Sequence, residues 1–301
     1  MKGTFAQSIS QWVERKLGYL LLLPALLVMG FIAFFPILQT FWISLHHLNI
    51  KFANHQSFVG IANYTQLIQD DRFWNSLSNT VIITGISVFL ELILGLGFAL
   101  VMHRTFRGRG LVRAAILVPW AIPTVVSALM WRFMYNDQLG VVNDILFRLG
   151  VIDAYVTWLG SPVLSMTAVI VAEVWKTTPF MALLILAGLQ TISHDLYEAA
   201  DIDGASAWQK FFAITLPLLK PAILVALLFR TLDAFRIFDL VYVLTGGGPG
   251  NSTEVISMYA YKTMSGYLDF GYGSAISVVI FVCVLAISFL YVKILGTNVQ
   301  R

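Results

Sequence analysis

The sequence predicts an all-α membrane protein with six transmembrane helices and both termini on one side of the bilayer. Three observations predict it. The chain of 301 residues is 58% hydrophobic and only 12% charged, with a mean hydropathy of +0.80, more apolar side chain than one soluble core of that length can hide. Its apolar residues gather in runs of about 20 or more, the length at which a helix crosses ~30 Å of hydrocarbon. Lysine and arginine then crowd every second inter-run loop.

Residues 17–45 carry no charge and form the first span. Residues 1–16 hold Lys2, Arg15 and Lys16 and look like the leading part of a signal peptide. The apolar run behind them is too long and lacks a small-residue cleavage site, so they are expected to be an uncleaved cytoplasmic N-terminus. The second span covers 77–102, interrupted only by Glu91, and the third 114–135, where Pro119 and Pro123 are expected to bend the helix. A fourth covers 163–190, a fifth 221–244 and a sixth 270–292. The expected organisation is therefore a membrane domain over 17–295, interrupted by a cytoplasmic loop at 196–220 and followed by a cytoplasmic tail at 296–301.

Basic residues set the orientation. Lys2, Arg15, Lys16, Arg104, Arg107, Arg109, Arg113, Lys210, Lys220, Lys293 and Arg301 fall on the side of the N-terminus, which that excess marks as cytoplasmic. A net charge of +3 is too small to suggest a nucleic-acid partner. The single cysteine, Cys283, rules out an intrachain disulfide and a cysteine-based metal site, and His46 and His47 have no second ligand pair nearby. No G-x-x-x-x-G-K-[ST] phosphate loop occurs, so the chain is not expected to be an ATPase.

Residues 196–220 read LYEAADIDGASAWQKFFAITLPLLK. Residues 197–202 favour a helix, Gly204 can take positive φ and turn the chain, 205–214 form a second helix with an apolar face, and Pro217 is expected to stop it. Such a knob suits a groove in another protein, or the membrane surface. Glu198, Ala199, Ala200, Gly204, Ile214, Leu216 and Pro217 match the signature E-A-A, three residues, G, nine residues, I-x-L-P. At this point the chain resembles the membrane subunits of ABC importers that work with an external substrate-binding protein. The resemblance extends to the carbohydrate branch, of maltose type, through Phe58–Tyr64, Trp158–Pro162, Leu244–Pro249 and Gly271–Ala275.

That resemblance implies a type I ABC importer permease fold in a bacterial plasma (inner) membrane. It implies that Glu198, Ala199, Ala200, Asp201 and Gly204 form a coupling helix seated on an ATPase subunit. It also implies a second homologous permease, two ATPase copies, an external binding protein, and no cofactor bound by this chain, ATP and magnesium being used by the ATPase. The extra leading span and large external domain of the best-known maltose member are not seen, which leaves the sugar open.

Charges inside the apolar runs carry the rest. Glu173 and Lys176 lie in the fourth span, and Arg230, Asp233, Arg236 and Asp239 recur every third residue in the fifth. Each such group costs ~2.5–3.5 kcal/mol at the bilayer centre, so they must face protein or water. The regular spacing allows a ladder of alternating charges that pins helices together, or a hydroxyl-binding wall. Glu173, Lys176, Thr177 and Phe180 share one helical face, combining polar groups with an aromatic ring. In the maltose-type family the corresponding parts of these helices build the membrane sugar site, which the resemblance carries onto Glu173, Lys176, Thr177, Phe180, Arg230, Asp233, Ala234 and Ile237, with Arg236 as a neighbour. Glu91, alone in the second span, could pair with a basic intramembrane residue and has no assigned role. The rival readings are a permease for a polyol, glycerol phosphate ester or polyamine, and a stand-alone secondary transporter, which would show paired interrupted helices.

Overall fold

A computed structural model describes residue 19 and residues 21–51 and 56–299, with side chains as far as 294. The N-terminal segment 1–16 and the last two residues of the tail lie outside the described residues. Helix α1 spans Leu21–Ser44 and leads through a short hairpin, β1 (His46–His47) and β2 (Ser57–Phe58), into α2 (Ala62–Ile68). Then follow α3 (Asp71–His103), α4 (Arg109–Ala121), α5 (Thr124–Met134), α6 (Val141–Arg148) and α7 (Pro162–Leu189). The chain continues with α8 (Asp195–Ile202), α9 (Ala207–Phe235), α10 (Asp239–Leu244), α11 (Ile256–Tyr261) and α12 (Phe270–Val299). Five of these, α1, α3, α7, α9 and α12, are long and apolar enough to cross a membrane, and the bent pair α4 and α5 makes a sixth if taken as one span.

Two expected spans are built differently from their sequence reading. The third is bent by 94° between α4 and α5. Pro119 sits inside α4 without breaking it, whereas Ile122 is extended (ψ 132°) ahead of Pro123, as the steric clash with a following proline ring demands. The fifth span begins earlier and ends sooner than residues 221–244. Pro217 does not stop it, because a π-helical turn over Phe211–Thr215 shifts the hydrogen-bond register just before Leu216, where a residue without an N–H is best tolerated. The helix ends at Phe235, and Arg236 to Phe238 form a break before α10. Arg236 and Asp239 therefore leave the helical stripe that residues 230 and 233 share, and the four-charge ladder does not form.

Helices α3 and α7 run parallel through the centre. Gly95 gives up its side chain so that Met181 can approach, since a Cβ there would lie 2.8 Å from Met181 Cγ. Ala99 and Met102 of α3, Leu186 and Leu189 of α7, and Leu219 of α9 share one buried cluster, which brings the loops 104–108 and 190–206 to one end of the bundle. Arg113 closes the exposed end of α3 there, donating Nε and Nη2 to the Met102 carbonyl at 3.1 and 2.7 Å.

The opposite end collects the other loops. Tyr135, Leu244 and Val255 lie in a second buried cluster with Trp158 packed on it. Asn63 Nδ2 donates to the carbonyls of Ser44 and His46 at 2.7 and 3.0 Å. Gly271 lies against that same strand, where a Cβ would sit 2.2 Å from the His46 carbonyl oxygen. Buried Glu254 accepts from Arg72 Nε and Nη2 (2.6 and 2.8 Å) and from Lys262 Nζ (2.8 Å), tying the start of α3 to the 245–262 segment. The motif stretches at 58–64, 158–162, 244–249 and 271–275 thus meet at one face.

Candidate functional site

Both helix breaks open onto one cavity of about 260 Å³. The α4–α5 bend contributes Trp120 and Thr124, the α9–α10 break contributes Arg236 to Leu240, α7 contributes Glu173, Lys176 and Thr177, and the end of α9 contributes Asp233. Backbone at a break cannot satisfy itself, so polar side chains must come to it. Lys176 does so at the bend, its Nζ donating to the Ile122 carbonyl at 2.9 Å. At the other break Arg236 stands at the C-terminal end of α9 and Asp239 in the first turn of α10, each at the helix pole that favours its sign. The alternation read as a ladder is thus partly a pair of helix-end charges.

Behind the cavity wall lies a buried ion cluster. Arg230 of α9, 1% exposed, reaches three carboxylates. Its Nε and Nη2 grip Glu91 of α3 at 2.5 and 2.9 Å, Nη2 also meets Glu173 Oε1 at 3.0 Å, and Nη1 meets Asp233 Oδ2 at 2.7 Å. Thr177 Oγ1 donates to Glu91 Oε1 at 2.7 Å. A two-pronged guanidinium–carboxylate pair satisfies both charges where no water can. Asp233 is the exposed member of the set, its side chain 68% accessible.

Six of the residues carried over from the family, Glu173, Lys176, Thr177, Asp233, Arg236 and Ile237, line this cavity. Three do not. Arg230 lies behind the wall, Ala234 is fully buried as a member of the apolar cluster that also holds Val88 and Met181, and Phe180 stacks on the cavity residue Trp120 with centroids 5.8 Å apart. The sequence reading missed Trp120, Thr124, Phe238 and Leu240 as lining residues. Only Trp120, between the helix-bending prolines, offered a signal, because the break that exposes Phe238 and Leu240 contains neither glycine nor proline.

At the end of the bundle that holds the loop 104–108, α8 and the start of α9 form an elbow. Gly204 turns it with φ +74°, a conformation that favours glycine. A capping box follows, in which Ser206 Oγ accepts from the Gln209 amide and the Gln209 side chain accepts from the Ser206 amide. Asp201 is held by Lys210 at 2.5 Å and Glu198 lies 3.1 Å from His194. Their charges are thus met inside the chain as well as being open to a partner. Ile202 and Trp208 remain 88% and 72% exposed, and a Cβ at Gly204 would meet nothing within 4 Å. The elbow tip is an open surface.

Residues 91–301 match the family described as "Binding-protein-dependent transport system inner membrane component". The trehalose/maltose transport system permease protein MalF of Thermococcus litoralis is 51% identical over 281 residues, covering 93% of this chain and 94% of that one. The trehalose transport system permease protein SugA of Mycobacterium tuberculosis is 44% identical, covering 98% and 93%. The sulfoquinovosyl glycerol transport system permease protein SmoG of Agrobacterium fabrum is 42% identical, covering 96% and 94%. A bacterial alginate ABC transporter, solved with an alginate pentasaccharide-bound periplasmic protein, contains a chain of the same fold, with a TM-score of 0.80 at 24% identity over 93% of this chain and 94% of its own. The chain belongs to the inner membrane component family of binding-protein-dependent ABC transport systems.

Proposed function

We propose that this chain is one permease subunit of an ATP-driven importer, passing a small carbohydrate, a disaccharide or glycoside, that an external binding protein delivers. The observation that carries the reading is the cavity at the two helix breaks, where carboxylates, a lysine and an arginine stand beside an indole. Sugar hydroxyls need charged or polar acceptors and donors, and the C–H face of the ring needs an aromatic surface. Relatives named for trehalose, maltose and sulfoquinovosyl glycerol support a disaccharide or glycoside over a polyol or polyamine.

In this reading the six apolar crossings place both termini and the elbow in the cytoplasm and the face of the four motif stretches outside, in line with the arginines at 104, 107, 109 and 113. A second, homologous permease supplies the other wall of the pathway. Two ATPase subunits hydrolyse ATP with magnesium, and the elbow residues Glu198, Ala199, Ala200, Asp201 and Gly204 seat one of them. Closure of the ATPase pair pushes the elbow, and α9, with its π-helical turn at Phe211–Thr215, carries the push, because the helix that starts at Ala207 is the one that ends at the cavity. Rocking of α9 against α3 and α7 then opens the cavity to alternate sides. Glu173, Lys176, Thr177, Asp233, Arg236 and Ile237 contact the sugar, and Trp120, backed by Phe180, faces its ring.

The test is uptake by liposomes holding the complete complex and its binding protein, offered a panel of disaccharides, glycosides, polyols, glycerol phosphate esters and polyamines. The reading expects ATP-dependent uptake of a sugar or glycoside. Uptake of a polyamine or phosphate ester alone, or uptake by this chain without ATPase subunits, would overturn it.

A further inference from the structure

Glu91 lines no part of the cavity, yet it makes the firmest grip on the residue that organises the wall. Its carboxylate is fully buried, and both its oxygens are occupied by the Nε and Nη2 of Arg230 at 2.5 and 2.9 Å and by Thr177 Oγ1 at 2.7 Å. With one edge of the guanidinium fixed in this way, the plane of the group has no rotational freedom, and its remaining N–H groups point where Glu91 sets them. They point at the wall. Nη2 takes Glu173 Oε1 at 3.0 Å and Nη1 takes Asp233 Oδ2 at 2.7 Å. Among the described residues no hydrogen bond reaches the other oxygen of either acid. Each of these acids is therefore held by one oxygen, and both line the cavity, which leaves the second oxygen of each to accept from a ligand there.

We propose that Glu91 is a positioning residue for substrate selection: acting through Arg230, it fixes Glu173 and Asp233 as a pair of acceptors for two hydroxyl groups of one sugar. The inference rests on the carbohydrate reading above. Glu91 never touches the ligand. Its removal lets the guanidinium turn, and the two acceptor oxygens lose their fixed separation, so a hydroxyl pair is no longer favoured over a single hydroxyl.

The experiment uses the complete complex with saturating binding protein. The probes are the panel sugar that the wild-type complex carries fastest and its mono-deoxy analogues. Glu91→Gln, Asp233→Asn and the double variant are compared, and Glu91→Asp, which keeps the charge but shortens the reach, serves if Glu91→Gln fails to assemble. The expected result is that Glu91→Gln shrinks the preference for the parent sugar over a deoxy analogue about as much as Asp233→Asn does, and that the double variant is no worse than either alone, as for groups acting in series. Glu91→Asp is expected to give the same shrinkage in part. A purely structural role would lower all probes by one common factor. Equal slowing of parent and analogues, or losses that multiply in the double variant, would overturn the inference while leaving sugar transport standing. A wild-type complex that carries no panel sugar would instead remove the carbohydrate reading and this inference with it.

Discussion

Arg230 keeps its charge in the middle of an apolar bundle because Glu91, Glu173 and Asp233 surround it. Removing the cation leaves Glu91 and Glu173 buried without their counter-charge, and breaking such a pair costs about 3–5 kcal/mol. Arg230→Met is therefore expected to lower the thermal unfolding midpoint of the purified complex in detergent by on the order of 10 °C. Arg236→Met makes the contrast, since among the described residues the Arg236 guanidinium reaches only the Leu232 carbonyl at 3.2 Å, and its midpoint is expected to stay within about 2 °C of wild type. An Arg230→Met midpoint equal to wild type would mean that the cluster does not hold the helices. The sequence flagged each of these charges, since an ionisable residue in an apolar run is conspicuous, and its spacing of three anticipated the Arg230–Asp233 pair, but it did not say which basic residue Glu91 meets. Glu91 and Arg230 are 139 positions apart, and only the packing of α3 against α9 brings them together.

Elements were legible where local chemistry dictates them. The long apolar runs gave α1, α3, α7 and α12 to within a few residues, except that α3 begins six residues before its run and α12 extends seven beyond it, because an amphipathic or mixed turn can continue a helix past the hydrocarbon edge. Gly204 gave the elbow, and the Pro119–Pro123 stretch gave a bend. The α9–α10 break was not legible, because Arg236, Ile237 and Phe238 carry no breaker; it is held from outside, by Ser257, whose hydroxyl donates to the Ile237 carbonyl.

The face opposite the elbow gives an element-scale prediction. Burial alone would raise the Glu254 carboxyl, but its bonds to Arg72 and Lys262 outweigh that and hold it below the usual range of 4.5. A carboxyl with a lowered native pKa contributes stability that is complete above 4.5 and lost as the pH falls through the native value. Hydrogen exchange in segment 245–269 is expected to be unchanged between neutral pH and the ordinary carboxylate range and to quicken only in stronger acid, once the intrinsic pH dependence of exchange is removed. Glu254→Gln should bring the fast exchange to neutral pH. Slow exchange in that variant would show that the ion pairs do not pin this segment.

For the whole molecule, the arrangement places a polar cavity and a protruding elbow at the two ends of one continuous helix, α9. In the function proposed above, a push at the elbow becomes movement at the cavity. The most direct measurement is ATP-driven uptake by the complete complex with Gly204→Trp, beside Gly204→Ala as the control for backbone strain. A Cβ at 204 meets nothing within 4 Å among the described residues, so the alanine variant reports the cost of φ +74° and the tryptophan variant adds the bulk that the proposed partner would meet. The account predicts that, with equal amounts of chain in the membrane, Gly204→Ala keeps most of the uptake and Gly204→Trp loses it together with the bound ATPase. Wild-type uptake with tryptophan at this position would contradict it.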